Sequence, residues 1–310
     1  MHNHFIFWII FSVLILIMFY IDLYATDHRK GKIGIKSSLI WSGVWIATAL
    51  LFNLIILFFL EDGKQKAIEF LAGYLVEKSL SVDNLFVFLM VFNVLGIKEE
   101  NQPHVLKWGI ISAIVLRILF ILAGVTLIKL FHPIIYVFGI VLLYAAYKMA
   151  FGSEMKIDLK SNVVIKFISK RFNILTDYEG AKFFTKQNSI NYVTPLFLAL
   201  LLIESADIVF AVDSIPAVIA ITHDPFIIIT SNIFAILGLR ALYFALAGIV
   251  DLFVYLKYGV AVILAFVGFK MLVSDFHEIS TSLSLIVILI CLVISIFLSV
   301  LQKGKRKRSV

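Results

Sequence analysis

Long apolar runs, separated by short polar segments, extend over almost the whole chain. The runs of spanning length lie at about 5–24, 38–60, 67–96, 108–130, 132–151, 190–221, 226–249, 256–274 and 282–301. Because about 20 predominantly apolar residues are enough to cross the hydrocarbon core, each run predicts a transmembrane helix. The pattern therefore predicts an all-α polytopic membrane protein with about nine transmembrane helices, forming one transmembrane domain over residues 1–310.

The composition agrees with a membrane protein and excludes other classes. Hydrophobic residues make up 62% of the 310 residues and charged residues 15%, which is not the profile of a soluble globular protein. The single cysteine, Cys291, cannot form an intrachain disulfide. The net charge of +7 does not indicate nucleic-acid binding, because the basic residues collect in short segments between the apolar runs.

The basic residues between the runs predict how the helices are oriented. If nine runs span, nineteen Lys and Arg residues fall on one side of the membrane and three on the other. The larger group lies in segments 26–37, 97–107 and 152–189, at Lys257 and in the basic tail 302–310. Because positively charged loops stay in the cytoplasm, we expect the N-terminus outside, the C-terminus inside and a cytoplasmic loop at 152–189.

Two parts of the chain resemble each other. The run LRILFILAG, which contains Arg117, matches the run LRALYFALAG, which contains Arg240, with one residue inserted. Arg117 corresponds to Arg240 at an offset of 123 residues, and Asp83 corresponds to Asp207 at an offset of 124. The near-constant offset favours an internal repeat over a chance likeness between two apolar stretches.

The repeat predicts a specific architecture. Its copies, at about 67–151 and 190–275, each contain three predicted helices. Because three is an odd number, the second copy enters the membrane from the opposite face, which makes an inverted three-helix repeat. Transporters with such repeats hold their substrate near the midplane, where the two copies meet.

The third and sixth predicted helices each contain acidic residues. These are Glu77, Asp83, Glu204, Asp207 and Asp213. A carboxylate at the bilayer centre costs roughly 2.5–3.5 kcal/mol on insertion scales, so each one needs a partner. Carboxylate and carbonyl oxygens suit hard divalent cations such as Mn²⁺, Mg²⁺ or Ca²⁺. The sequence therefore favours a bound or transported divalent cation.

A simpler interpretation is that the acids only pair with basic residues in the same runs. Those bases are Lys78, Arg117 and Arg240. Three bases cannot neutralise five acids, so some charge is left for a proton or a cation. We treat Arg117 and Arg240, together with Asn84 and Ser205, as residues that support the site. Asp22 is expected at the membrane interface and not among the ligands.

The spacing of the acids predicts that both acidic helices are interrupted. Asp207 and Asp213 are six residues apart, which turns an ideal helix by about 240° and points the two side chains at different faces. Pro195 and Pro216 each remove a backbone donor. We expect a kink near Asp213 that turns its side chain toward Asp207.

At these residues the chain resembles the TerC family of integral membrane proteins, named for tellurium resistance. The resemblance rests on the stretch EKSLSVDNLFVF, which begins at Glu77, and on ESADIVFAVDSIPA, which begins at Glu204. It extends over about residues 38–275. The resemblance implies a bacterial inner-membrane protein connected with manganese export and tellurite resistance, in which the five acids form the cation path.

The leading hypothesis is a secondary transporter, and not an enzyme, that exports a divalent cation through the acidic site. Mn²⁺ is the expected substrate, and protons that compete for the same carboxylates would couple export to the proton gradient. No resident cofactor and no nucleic-acid partner are expected. The partners are the metal ion and the lipid bilayer, and protein partners are left open.

Two other functions compete with this hypothesis. The first alternative is a membrane scaffold or accessory protein of a tellurite or stress resistance complex, with the 152–189 loop as its contact surface. An intramembrane aspartyl protease is disfavoured, because neither Asp83 nor Asp213 lies in a Gly-x-Gly-Asp sequence. The motifs of serine hydrolases and zinc proteases are also missing from the sequence.

Overall fold

The computed structural model describes residues 2–22, 34–131, 133–151, 168, 170–175, 180–187, 190–247, 255–277 and 279–306. This part of the chain is mostly helical. Its helices are α1 (His2–Tyr20), α2 (Ile35–Phe59), α3 (Gly63–Val94), α4 (Gln102–Leu130), α5 (Ile134–Phe151), α6 (Pro195–Ile219), α7 (Pro225–Ile236), α8 (Leu239–Ala247), α9 (Leu256–Leu272) and α10 (Thr281–Arg306). The predicted basic tail therefore begins as the last turns of α10, and residues 307–310 lie outside the described part.

Six helical segments of the described chain are long and apolar enough to cross a membrane. They are α2, α4, α5, α6, the combined segment α7–α8 and α10. Helices α1 and α9 have shorter apolar lengths, and α3 contains several charged residues along its length. The structure thus confirms a mostly helical protein with several potential spans. The count of nine and the inverted repeat stay predictions.

Apolar side chains lie on the outside of this bundle, and polar ones lie in its centre. Phe58 on α2 and Phe151 on α5 are 74% and 77% exposed, as expected for side chains that face lipid tails. Helix α7 is buried from Phe226 to Ile236, including the polar residues Thr230, Ser231 and Asn232. The centre of the bundle is therefore the place where a polar site is built.

Helix packing brings both acidic helices to this centre. Helix α3 packs against α6 and α7, and α4 packs against the same two helices. Helix α5 packs along α9, where Gly139 and Gly268 face each other so closely that a Cβ on either one would meet the carbonyl oxygen of the other. Such small residues let two helix backbones approach in a membrane protein. Helices α2 and α10 pack on the outside of α3.

Three short strands form a small sheet, which is a departure from the predicted purely helical fold in a mostly helical protein. Strands β1 (Asn173–Ile174), β2 (Phe184–Gln187) and β3 (Ile190–Val193) lie in the order β1-β3-β2, with β1 parallel and β2 antiparallel to β3. Strand β3 is rich in β-branched and aromatic residues, which favour extended backbone. Val193 anchors the sheet by packing against Ile168 and Leu198. The sixth apolar run therefore becomes helical only at Pro195.

The predicted interruptions of the two acidic helices are wrong. Helix α3 continues through 32 residues, a length of about 48 Å, and α6 continues through 25. Pro195 is the first residue of α6, where its missing N–H costs no helical hydrogen bond. Pro216 lies inside α6 without ending it.

The helix break lies elsewhere, between α7 and α8. Gly238 adopts a φ of +81° there, and a Cβ at this position would collide with the side chain of Trp45 on α2. Left-handed backbone costs a non-glycine residue roughly 1–2 kcal/mol. A glycine is therefore needed both for the turn and for the close approach of α2.

We predict that Gly238→Ala lowers the melting temperature of the purified protein in detergent more than Gly96→Ala does. Gly96 also has a positive φ, of +63°, but a Cβ there meets open space, so that variant measures backbone strain alone. Gly43→Ala is the helical control with neither defect, and it should be neutral or slightly stabilising. Equal losses for Gly238→Ala and Gly96→Ala would contradict the contact with Trp45.

Candidate functional site

Arg117 on α4 lies at the centre of the polar region and is only 1% exposed. Its Nη1 is 2.6 Å from Oε1 of Glu77 on α3, and its Nη2 is 3.4 Å from Oδ1 of Asp207 on α6. Nη1 also donates to the hydroxyl of Ser214 at 2.7 Å and to Oδ1 of Asn232 on α7 at 3.4 Å. One guanidinium group thus joins four helices.

Helical periodicity explains why these side chains meet. Glu77, Ser81 and Asn84 are spaced i, i+4, i+7 on α3 and therefore share one face. Asn84 donates to Oδ1 of Asp207 at 3.4 Å. On α6, Asp207 and Ser214 are seven residues apart, so they share the face that meets α3 and α4. The polar faces of two otherwise apolar helices are in this way turned toward each other.

Two more of the five predicted acids, Glu204 and Asp213, lie on either side of this centre. Glu204 accepts a hydrogen bond from the hydroxyl of Ser112 on α4. It lines a small cavity with Asn84, Arg117 and Asp207. A second cavity lies between α3, α5 and α6 and is lined by Glu77, Asn84, Arg117 and Asp213. Each cavity has room for about one water molecule.

Several buried oxygen atoms around the two cavities have no hydrogen-bond partner among the described residues. They are Oε2 of Glu77, Oδ1 of Asn84 and Oε2 of Glu204. Buried oxygens without partners are costly in a protein interior. All three belong to side chains that line the cavities, so these atoms are the available ligands for a small polar guest.

The predicted site residues are not all in one cluster. Within the described part of the chain, no three acidic, histidine or cysteine side chains come close enough together to hold a metal ion. Glu77 and Asp207 meet through Arg117, while Glu204 and Asp213 lie in separate cavities. The side chain of Asp83 lies outside the described part. Metal binding by the five acids stays a prediction.

Two of the expected supporting residues lie elsewhere. The hydroxyl of Ser205 donates to the carbonyl of Leu202 in its own helix and does not line either cavity. Arg240 on α8 is 3.4 Å from Oδ2 of Asp22 and also donates to the backbone carbonyl of Asp22. Asp22 is only 4% exposed and serves Arg240 as counter-ion, while its expected position at the membrane interface stays a prediction.

Lys78 also has a different partner from the one expected. Its Nζ donates to the carbonyl oxygens of Ala235 at 3.1 Å and Leu237 at 3.5 Å. These carbonyls end α7, where the helix dipole favours a positive charge. Lys78 therefore stabilises the break before Gly238 and leaves the acids to Arg117.

Sequence reasoning missed two functional neighbours, Ser112 and Asn232. Each is a polar residue inside an apolar run, and this position was the only indication in the sequence of a contact with the site. A lone serine in a spanning helix most often bonds its own backbone, and Ser112 does so too, with the carbonyl of Trp108. Its second contact with Glu204 depends on how α4 and α6 are packed.

We predict that Glu77→Gln destabilises the protein strongly. Removal of one partner from a buried ion pair typically costs about 3–5 kcal/mol, and Glu77 is 1% exposed beside Arg117. Thermal unfolding of the purified variant in detergent measures the effect. Glu61→Gln, in an exposed turn, is the matched control and should change the melting temperature little. Similar losses in both variants would rule out the ion pair as a major stabilising contact.

Comparison with known proteins identifies the family. The model of the integral membrane protein TerC family matches residues 62–307, which contain α3 to α10. A protein of Salmonella typhi named "Putative membrane-bound redox modulator Alx" is 41% identical over 96% of this chain and 95% of its own length. The protein of the same name from Escherichia coli K12 is 42% identical, over 93% and 92%.

A third relative, "Uncharacterized membrane protein STKORF319" of Myxococcus xanthus, is 42% identical over 91% of this chain and 88% of its own length. No solved structure matches the chain. The matched region includes the whole polar centre around Arg117. On these matches, and with its several spanning helices, the chain is a multi-pass membrane protein that belongs to the TerC family.

Proposed function

We propose that this protein is a secondary transporter that exports a divalent metal cation, with Mn²⁺ as its main substrate, across a bacterial inner membrane. The observation that carries the proposal is the set of buried oxygens without partners, on Glu77, Asn84 and Glu204. They line two cavities in the middle of the bundle together with Asp207 and Asp213. Carboxylate and carbonyl oxygens of this kind are suitable ligands for a hard divalent cation.

The chemistry of the lining supports a hard cation. Its polar atoms are carboxylate, amide and hydroxyl oxygens together with the Arg117 guanidinium, and neither cavity is lined by His or Cys. Oxygen ligands suit Mn²⁺, Mg²⁺ and Ca²⁺ better than softer metals. Asp83, six residues after Glu77 on α3, is assigned to the same path from its position in the sequence.

The order of the acids along α6 supports a path through the protein. Glu204 and Asp213 are nine residues apart, which is about 13.5 Å along a helix. Their cavities share Asn84 and Arg117 as common lining residues. A cation that moves from one cavity to the other therefore passes Glu77 and Asp207.

The packing of the helices supports two related halves. Under the predicted repeat, α3, α4 and α5 correspond to α6, α7–α8 and α9. Helix α3 packs against α7 and α4 packs against α6, α3 meets α6, and α5 meets α9. When each helix is replaced by its counterpart in the other half, the α3–α7 contact becomes the α6–α4 contact, and the α3–α6 and α5–α9 contacts become themselves. Such a pattern fits an inverted repeat whose halves rock about a central site to give alternating access.

Orientation and coupling are part of the proposal. The distribution of basic residues puts the N-terminus outside and the C-terminus in the cytoplasm. Glu204 then lies nearer the cytoplasmic side and Asp213 nearer the outer side. Protons that compete with the metal for these carboxylates would drive export by antiport.

The names of the relatives point to a second candidate, a redox function. This chain has a single cysteine, Cys291, so it cannot form an intrachain dithiol–disulfide pair. A scaffold role in a stress-resistance complex is the second candidate that we retain, because exposed aromatic side chains near the small sheet favour it. Phe172 and Phe184, at the small sheet, are 49% and 53% exposed and would contact a protein partner.

We predict that the purified protein in liposomes catalyses Mn²⁺ flux in the direction opposite to the proton flow down an imposed proton gradient. Asp83→Asn, Asp207→Asn and Glu204→Gln should each reduce that flux about tenfold or more, because each removes a charged ligand. Glu61→Gln, an exposed acid outside the path, should transport normally.

Two results would decide against parts of this proposal. Normal flux in all three acid variants would remove the site assignment while leaving transport intact. No flux by the wild-type protein under a gradient of either direction would exclude the transporter. Co-purification of a stable protein partner that is lost in a Phe172→Ser/Phe184→Ser variant would then favour the scaffold.

A further inference from the structure

The position of Arg117 has a consequence for ion selectivity. We propose that the Arg117 guanidinium is a built-in counter-ion that competes with the transported cation and so restricts the site to divalent ions. This inference rests on the proposed transport function and adds to it the residue that sets its specificity. It concerns one basic side chain that neither the family match nor the names of the relatives assign.

The first step is that the guanidinium and a cation exclude each other. Glu77 and Asp207, one from each predicted half, both point an oxygen at Arg117, at 2.6 and 3.4 Å. A hard divalent cation binds carboxylate oxygens at about 2.0–2.6 Å. A cation held by both carboxylates has to occupy the space that the guanidinium fills, so Arg117 must move when the cation binds there.

The second step is that the arginine is held less completely than a structural arginine would be. Its Nε has no partner among the described residues, and its contacts with Asp207 and Asn232 are long, at 3.4 Å. Buried arginines in structural pairs usually bind one carboxylate with two parallel hydrogen bonds. Here each carboxylate is met by a single nitrogen, and Oε2 of Glu77 is left over.

The third step is that the guanidinium has somewhere to go. Arg117 lines both cavities, and each cavity contains a further acid, Glu204 in one and Asp213 in the other. Oε2 of Glu204 has no hydrogen-bond partner in the described structure. A displaced guanidinium can therefore pair with another carboxylate and does not become an isolated buried charge, which would be strongly unfavourable.

Selectivity follows from the charges. A monovalent ion that replaces the guanidinium brings the same charge as the group it displaces, so the attraction to Glu77 and Asp207 does not increase. A divalent ion doubles the Coulomb attraction at the same distance. A divalent cation can therefore displace the guanidinium from the two carboxylates, whereas Na⁺ and K⁺ cannot.

The test measures equilibrium binding of radioactive Mn²⁺ to the full-length purified protein, in choline chloride and in sodium chloride of equal ionic strength. We expect Arg117→Gln to bind Mn²⁺ roughly tenfold more tightly than wild type in choline, because the competing state is removed. We also expect Na⁺ to weaken Mn²⁺ binding to this variant and to leave wild type unaffected. Lys129→Gln removes an exposed positive charge from the same helix and should behave like wild type.

A second variant keeps the test decisive if Arg117→Gln does not fold. In Arg117→Gln/Glu77→Gln both partners of the shortest ion pair lose their charge, and Mn²⁺ binding that remains through Asp207 should again be sensitive to Na⁺. A folded variant whose Mn²⁺ binding is no tighter than that of wild type and is insensitive to Na⁺ would overturn the role of Arg117. A wild-type protein that neither binds nor transports Mn²⁺ would overturn the proposed function itself, and this inference with it.

Discussion

A guanidinium group surrounded by apolar helices has to be met by carboxylates, and this requirement decides how the central helices of the protein face one another. Arg117 reaches from α4 to Glu77 on α3, to Asp207 on α6 and to Asn232 on α7. A shift of one residue along any of these helices turns a side chain by about 100° and leaves a buried charge without its partner. Apolar contacts tolerate many packings, whereas this ion pair accepts very few.

The break between α7 and α8 depends on the same kind of constraint. Lys78, next to Glu77 on α3, donates to the carbonyls that end α7, and Gly238 supplies the left-handed residue that follows. Helix α3 therefore uses adjacent residues to hold the acid site and the broken helix. Because Glu77 contacts α4 and Lys78 contacts the end of α7, a movement of α3 relative to both helices changes the two contacts together.

The helices themselves were largely predictable from the sequence, because the thickness of the hydrocarbon core fixes the length of an apolar run. The run at 38–60 became α2, Ile35–Phe59, and the run at 132–151 became α5, Ile134–Phe151. The sheet was not predictable, since strand β3 continues directly into the apolar run of α6 and looks like part of it. Pro195 at the start of a helix and Pro216 inside one cannot be distinguished by residue type.

The partners of the charged residues were harder to predict than the helices. The sequence identified the acids and bases that need partners, and the pair of Glu77 with Arg117 was among the expected combinations. The pair of Asp22 with Arg240 joins residues 218 positions apart, and no local pattern indicates it. Lys78 was counted as a partner for acids, although backbone carbonyls at a helix end satisfy it equally well.

The central claim is that the carboxylates around Arg117 bind a divalent cation. The most direct measurement is an anomalous difference map, recorded near the manganese absorption edge, from crystals of the protein soaked in Mn²⁺. The account predicts a peak between α3 and α6 within bonding distance of Glu77 and Asp207, with the Arg117 side chain turned into one of the cavities. A map without a peak in this region, with Arg117 still joined to both carboxylates at saturating Mn²⁺, would contradict it.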